Sequence, residues 1–513
     1  DPKSIQIDAS GNLYIAGYTN SDLGETGAGS EDVFVAKILP TGALDTNFSG
    51  DGIVHFGSVT RSAAIGQDYV YDLELSGDGG IVVAGRTYSS FGEIRAGGFD
   101  AFVIKLTSSG NLDTSFSTDG IFHMGSVTFP SGDKDDEVWT MNLLPSGDLY
   151  IAGKTYSDLD ESFGGASDIF VAKVTAAGEL DSSFSSNGVL HFGSVTLGLG
   201  ASGDDEVRAI DMDSDGNFYL GGYTNGSLGE ANAGGNDIFV AKILSTGSLD
   251  TSFGNNGVIQ LGRTTMGDLA DQDDILSDLK VDSDGYIYVA GFTYSDLGET
   301  RSGGTDAFVA MISPDGSLNS AFGGGDGIAQ LGNVTIGAAA SSNEEVLAME
   351  LGVGGSVLIT GFTTSDLEET GNGEDIFVAK LDNTGSLDTS FATTGIIQLG
   401  SVTISSGNPS FSDNVGDITV DSLGQVYIAG KTYGGSLGES RGGGSSDHDA
   451  FVAKFNADGT LDTSYSDEGI AQLGSVTMGP SRAIRSDEFK TLVLLNDGTV
   501  AAIGDTEGEI GND

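Results

Sequence analysis

Apolar and polar residues alternate along this chain in short runs bounded by Gly, Asp, Asn and Ser. No stretch sustains the three-to-four-residue recurrence of an amphipathic helix. In one representative segment the pattern predicts four strands, at about Val207–Met212, Phe218–Thr224, Ile238–Leu244 and Val258–Leu261. Pairs such as Ser10-Gly11 and Asp215-Gly216 join the first strand to the second, which is hairpin punctuation. The second strand is apolar or small on both alternating faces (Leu13, Ile15 and Gly17 against Tyr14 and Ala16), so both sides of its sheet are expected to be covered.

The same four-strand pattern recurs. The glycine of an Ala-Gly-x-Thr phrase falls at Gly17, Gly85, Gly153, Gly222, Gly291, Gly361, Gly430 and, degraded, Gly504, at intervals of 68 to 74 residues. A second phrase, Asp-x-Phe-Val-(Ala/Ile)-Lys, begins at Asp32, Asp100, Asp168, Asp237, Asp306, Asp375 and Asp449, with Met311 in place of Lys once. A third, close to Leu-Asp-Thr-Ser-Phe, begins at Leu44, Leu112, Leu180, Leu249, Leu318, Leu387 and Leu461. Four-stranded antiparallel units repeated this often predict an all-β fold, a β-propeller, in which radial stacking manages the sheet edges. A β-helix is the main rival, but its short glycine-aspartate rungs are absent. The repeats are assigned to residues 1–66, 67–134, 135–203, 204–272, 273–342, 343–412 and 413–485, with a partial eighth at 486–513. First and second strands occur eight times, third and fourth strands seven times, and Asp513 aligns with the Asp that opens the third strand. An eight-position ring is therefore favoured over seven, with an open array as a further possibility.

The phrases DSDGNFYLGGYTNGSLGE and VDSDGYIYVAGFTYSDLGETRSGGTDAFVA resemble the bacterial SBBP β-propeller repeat, and LDTSFGNNG is similar to the delta-60 repeat. The resemblance implies a propeller within a secreted or cell-surface bacterial protein, usually part of a longer polypeptide, and implies no catalytic residues.

Composition narrows the partners. The 513 residues carry 75 Asp and Glu against 21 Lys and Arg, a formal charge of −54, with no cysteine. Disulfide scaffolds, zinc-thiolate sites and cysteine nucleophiles are excluded. Such acidity opposes binding to nucleic acid or anionic lipid. The 38% hydrophobic fraction permits a core, and no apolar run of membrane-spanning length is present. An extracellular or cell-surface location is expected, with any leader outside the sequence.

In a four-stranded meander the loops after the second and fourth strands emerge on one face. The former carries Glu25, Glu93, Glu161, Glu230, Glu299, Glu369 and Glu439 and ends at Asp32, Asp100, Asp168, Asp237, Asp306, Asp375 and Asp449. These fourteen carboxylates are the candidate ligands for Ca²⁺, which accepts six to eight oxygens in tolerant geometry. The alternative is that each Asp makes an Asx-type bond to loop amides while the Glu faces solvent.

Other motifs read as structural. Asp211, Asp213, Asp215 and Gly216 imitate the opening of an EF-hand, but the twelfth position is Gly222 rather than a carboxylate. His55, His123 and His191 in the first three copies, and Gln260, Gln330, Gln398 and Gln472 in the later four, fill one place in the fourth strand, which suits a hydrogen-bonding position better than a catalytic one. The Lys of the second phrase is expected to pair with local carboxylates, and its Phe to pack between blades. Trp139 is the only tryptophan; Tyr18, Tyr223, Phe292 and Phe362 are further aromatic platforms if exposed.

With no nucleophile beside an oriented base, the reading is a non-enzymatic surface scaffold for adhesion or matrix, stabilised by Ca²⁺. The alternatives are polysaccharide binding, contact with another surface protein, and self-association through unpaired end strands.

Overall fold

The computed structural model describes residues 1–20, 31–56, 66–88, 98–124, 135–156, 167–192, 203–229, 232, 235–261, 272–294, 304–332, 342–365, 367, 374–399, 413–433, 448–466, 469–473, 487–495 and 498–506. These form seven four-stranded antiparallel sheets, each running in sequence order from first to fourth strand, and one two-stranded sheet, Asp487–Leu494 with Val500–Thr506. No helix occurs among the described residues. The fourth blade has strands at Asp205–Met212, Phe218–Thr224, Asp237–Ile243 and Val258–Leu261, so the alternation placed each strand to within two residues.

The chain divides into two compact units. One comprises residues 1–232 with 239–260, and holds most of the first four blades; the other comprises 233–238 with 261–513. Within each unit the core lies between consecutive blades. One cluster joins Tyr14, Val35 and Phe48 of the first blade to Leu73, Val83 and Phe102 of the second. Others unite the second blade with the third, the third with the fourth, the fifth with the sixth and the sixth with the seventh. Both faces of an inner blade are thus covered, as the two-sided apolar strands require. The repeated Phe102, Phe170, Phe239, Phe377 and Phe451 lie in these inter-blade clusters. The final hairpin packs on the seventh blade through Leu492 against Ala429 and Val452.

First strands of consecutive blades touch one another directly within each unit, so they form its inner edge. Each contains a one-residue register slip, for example between Val70 and Asp72, Val207 and Ala209, and Leu276 and Asp278. The repeated glycine lies opposite that bulge: Gly85 pairs with Val70, Gly222 with Val207 and Gly291 with Leu276. A side chain at Gly85 would run into the Tyr69 carbonyl and stand 2.9 Å from Val70 Cα, which explains why glycine recurs there.

The bulge also places a carboxylate between blades. Asp72 accepts the Leu73 amide at 2.8 Å and, through its other oxygen, the Met141 amide of the next blade at 2.9 Å. Asp278 does the same with Leu279 and Met349, and Asp417 with Ile418 and Leu492, adding the Thr491 hydroxyl at 2.8 Å.

Candidate functional site

In the second to seventh blades, at the end where the first strand begins, polar side chains form a buried row. The Thr that closes the second strand donates to an acid on the first strand, nineteen residues earlier. Thr87 bonds Asp68 and Thr155 bonds Asp136 at 2.5 Å, Thr224 bonds Asp205, Thr293 bonds Asp274 at 2.5 Å, Thr363 bonds Glu344 at 3.0 Å and Thr432 bonds Asp413 at 2.7 Å. On its other side the same Thr is the register partner of the third-strand Asp: Thr87 with Asp100, Thr155 with Asp168, Thr293 with Asp306 and Thr432 with Asp449. The fourth strand completes the row, with Gln330 donating to Asp306 and Gln398 to Asp375 at 2.7 Å, and His191 lying 3.4 Å from Asp168.

These contacts account for two of the sequence patterns. The His/Gln position is a polar strand position facing the third-strand Asp, as expected. The same glutamines also brace the backbone after the second strand: the Gln260 carbonyl accepts the Leu228 and Gly229 amides at 2.9 Å each, and the Gln398 carbonyl accepts the Leu367 amide at 2.8 Å. Of the fourteen candidate calcium ligands, Asp32, Asp100, Asp168, Asp237, Asp306 and Asp375 are buried at 6% exposure or less, and Asp449 opens its strand beside Thr432. Glu25, Glu93, Glu161, Glu230, Glu299, Glu369 and Glu439 lie outside the described residues. Among the described residues no group of three or more acidic or histidine side chains is disposed to hold a metal ion. At the EF-hand-like turn, Asp213 accepts the amides of Asp215 and Asn217 at 3.0 and 2.9 Å, an Asx turn closing a hairpin.

The repeated lysines are also consumed internally. Lys37, Lys173, Lys242, Lys380 and Lys454 pair with Asp45, Asp181, Asp250, Asp388 and Asp462 at 2.7–3.4 Å. Where Met311 replaces the lysine, Asn319 replaces the aspartate and its amide lies 3.4 Å from the Met311 sulfur. Both charges are lost together, so no buried acid is left without its cation.

Positions that vary from copy to copy behave differently. Along the inner edge of the first unit, the variable residue of Ala-Gly-x-Thr and the early first-strand residues assemble an aromatic and cationic rim. Lys3 lies over Tyr18, whose ring stands edge-on to Tyr69 at 4.8 Å. The Arg86 guanidinium sits 4.8 Å from Tyr69 and 4.5 Å from Phe99, and bonds Glu137 of the next blade at 2.6 Å. Glu137 also accepts the Trp139 indole N–H at 3.0 Å. Lys154 lies 4.8 Å from the Trp139 ring and 5.6 Å from Tyr156. Arg208 lies 6.0 Å from Trp139 and bonds the Tyr223 hydroxyl at 3.0 Å and Glu206 at 2.8 Å, both through Nη2. Its side chain is 46% exposed. Burial holds the Tyr71 and Tyr223 hydroxyls above the ordinary phenol range, with Arg86 and Arg208 opposing the shift, so both remain neutral donors.

Residues 1–25 and 195–230 match the repeat described as SBBP, a β-propeller repeat, and residues 77–116, 144–184, 214–253, 355–391 and 424–465 match the domain of unknown function DUF5122, described as a β-propeller. The chain is a β-propeller repeat protein. Each DUF5122 match runs from the first hairpin turn of a blade into the Leu-Asp-Thr-Ser-Phe segment or its equivalent. No curated protein matches the sequence. PorZ of Porphyromonas gingivalis, a bacterial surface component of the type-IX secretion system, aligns at a TM-score of 0.29 with 14% identity over 97% of this chain; the propeller spans 60% of the PorZ chain. A polysaccharide lyase of family PL25, an ulvan lyase, aligns at 0.37 with 11% identity over 92% of this chain and 93% of its own. Drosophila Semaphorin 1b, extracellular domains 1–2, aligns at 0.33 with 7% identity over 83% and 82%. At these values the likenesses carry no argument about function.

In this propeller the recurring polar residues bond mainly within their own blade, and the rim side chains stand at positions that differ among the copies. Sequence reading singled out Trp139, Tyr18 and Tyr223 but not their cationic partners. It read Asp136, Asp205 and Asp274 as part of the acidic clusters in the loop before the first strand rather than as partners of the repeated Thr, and it did not single out Asp68, Glu344 and Asp413. Their constant nineteen-residue offset from the repeated Thr was the available signal.

Proposed function

We propose that this propeller is a non-enzymatic scaffold of a bacterial surface that binds polysaccharide through the rim of its first unit. The observation that carries the reading is the run of rings and charges from Tyr18 through Arg86 and Trp139 to Tyr223, at positions that vary among the copies. Saccharides present apolar C–H faces beside vicinal hydroxyls. Aromatic walls suit the former, and fixed Arg–Glu pairs offer donors and acceptors to the latter. The recurring carboxylates support a non-catalytic role, because they are engaged in the buried rows rather than paired across a cleft.

Affinity electrophoresis through a panel of neutral and acidic polysaccharides tests this. Retardation by at least one is expected, with Trp139→Ala and Arg208→Gln each weakening it on the order of tenfold. Phe292→Ala, at the equivalent second-strand place in the other unit, is expected to leave it unchanged. No retardation by any polysaccharide removes the reading; retardation indifferent to both rim substitutions removes the rim from it.

The same proposal keeps Ca²⁺ as a stabiliser of the acidic loops, drawing on the seven glutamates and on loop carbonyls. Melting in EDTA is expected several degrees below melting in excess Ca²⁺, and superimposable curves would dispose of the metal.

A further inference from the structure

A departure from the repeat in the second unit opens a cavity. In four blades the third-strand lysine lies under a second-strand tyrosine: Lys37 under Tyr14, Lys173 under Tyr150, Lys242 under Tyr219 and Lys454 under Tyr427, at 5.3–5.7 Å from the ring centre. In several blades the tyrosine hydroxyl also reaches the first-hairpin aspartate, Tyr14 to Asp8 at 3.2 Å and Tyr219 to Asp213 at 3.3 Å. The second blade has Val82 at the tyrosine place, and there Lys105 reaches the turn acid Asp78 at 3.6 Å.

The sixth blade lacks the second-strand ring and the turn acid, while Lys380 lies 5.9 Å from the Phe391 ring centre. Leu358 stands at the tyrosine place, and the turn reads Gly352-Val353-Gly354-Gly355-Ser356. Lys380 is consequently the most exposed of the six lysines, at 21% of its side chain against 12–17% for the other five. A cavity of about 200 Å³ opens at this place, lined by Leu358, Lys380, Val353 and Ser356 and, from the seventh blade, by Ser422 and Leu423. Val353 is 69% exposed and Leu423 75%, the two most exposed large apolar residues described. They stand at the first-hairpin turns of adjacent blades: Leu423 takes a place held by Ser or Asp in most other copies, as at Ser146 and Asp215, and Val353 one held by small residues or proline, as at Ala9, Pro145 and Ser214. An exposed apolar pair at the lip of a concave site marks binding rather than solvation.

We propose that this cavity binds a single phenol-type aromatic ring, which restores what Leu358 removes. A cavity of roughly 150 Å³ suffices for one benzene ring, so the volume is adequate. Lys380 offers its charge to the ring face or to the phenolic oxygen, and Val353 and Leu423 cover the apolar edge. In four other blades a tyrosine occupies this place against a second ring, Tyr14 with Phe48, Tyr150 with Phe184, Tyr219 with Phe253 and Tyr427 with Tyr465, so the environment tolerates a ring, and the bonds from Tyr14 and Tyr219 to turn aspartates show its hydroxyl can be satisfied there.

The test uses p-cresol and N-acetyl-tyrosinamide in calorimetric titrations of the full chain, with methyl chemical shifts of Leu358, Val353 and Leu423 as a second readout. Saturable p-cresol binding is expected, with a dissociation constant on the order of 0.1–1 mM for so small a ligand. Leu358→Tyr fills the cavity from within and is expected to raise the melting temperature while weakening p-cresol at least tenfold. The paired variant Lys380→Met with Asp388→Asn copies the Met311/Asn319 arrangement, keeps the aromatic lip, and is expected to weaken binding severalfold. Tighter binding of N-acetyl-tyrosinamide than of p-cresol identifies the source as a tyrosine of another polypeptide; the reverse identifies a free small phenol. Absence of saturable binding overturns the proposal, as does equal binding by Leu358→Tyr or equal binding of cyclohexylmethanol.

Discussion

Gly85→Ala is expected to destabilise the propeller by on the order of 3 kcal/mol or more, read as a fall in the urea midpoint and melting temperature. The added methyl has nowhere to go. The nearest atoms, the Tyr69 carbonyl and Val70 Cα, belong to the backbone of the bulged first strand, which cannot yield without breaking its pairing to the second. Tyr69 and Val70 are also where the second blade meets its neighbours, so a shift there propagates into the cluster containing Val70, Leu73 and Tyr14. Gly42→Ala is the control. Gly42 has a φ of +83° but nothing within 4 Å of an added Cβ, so only left-handed strain of about 1 kcal/mol is expected. Equal losses at the two sites would show that the bulge does not dictate the repeated glycine.

Stability is expected to peak near pH 4–5 and to fall toward neutrality, a reversal of the usual acid lability. Burial between blades raises the Asp72 carboxyl to about 6 from 3.8, the amides of Met141 and Leu73 opposing the shift, and burial with the nearby Asp72 charge raises Glu74 to about 7 from 4.5. Asp278 and Asp417 are raised by the same burial. A folded carboxyl that titrates above its unfolded value keeps a proton that the unfolded chain has released. Its contribution to stability is complete below about pH 4 and is lost as pH rises through about 6 to 7. For Asp72 the shift of about two pH units corresponds to at most about 3 kcal/mol. The opposing group is the set of surface pairs: the Lys173 ammonium, with the Ser183 hydroxyl, holds Asp181 down at about 2. That stabilisation is present above about pH 4 and disappears as pH falls toward 2. Urea midpoints measured from pH 3 to pH 8 should therefore form a dome centred on the acid side. Asp72→Asn keeps an acceptor for the neighbouring blade's amide but cannot ionise, and should flatten the limb between pH 5 and pH 7. A wild-type curve that rises over that interval, or an unchanged slope in the variant, would contradict the assignment.

Much of the architecture was legible before any coordinates. The Asp-Gly and Ser-Gly turns, the alternation of Leu13-Tyr14-Ile15-Ala16 and the recurrence of three phrases are local signals. They located the fourth blade's strands to within two residues and anticipated the Phe packing between blades. The polar role of Gln330 and Gln398 was readable for the same reason, since the change from His in the first three copies to Gln in the later four leaves hydrogen bonding in common.

What the tertiary structure alone decided lies at larger separations. The repeated glycine was visible, yet its cause is a bulge in a different strand. Asp100 opens the third strand and is visible in the repeat, but its place in a buried row depends on Thr87, thirteen residues before it, and Asp68, thirty-two residues before it, being brought beside it. Arg86 and Glu137 are fifty-one residues apart and belong to different blades; nothing in the turn chemistry or alternation of either segment requires them to meet. Alternation and turn residues act on neighbours along the chain, so the sequence by itself determined the blade. Contacts between blades depend on how inner strands converge across some seventy residues, so only the folded structure determined the rim and the cavity.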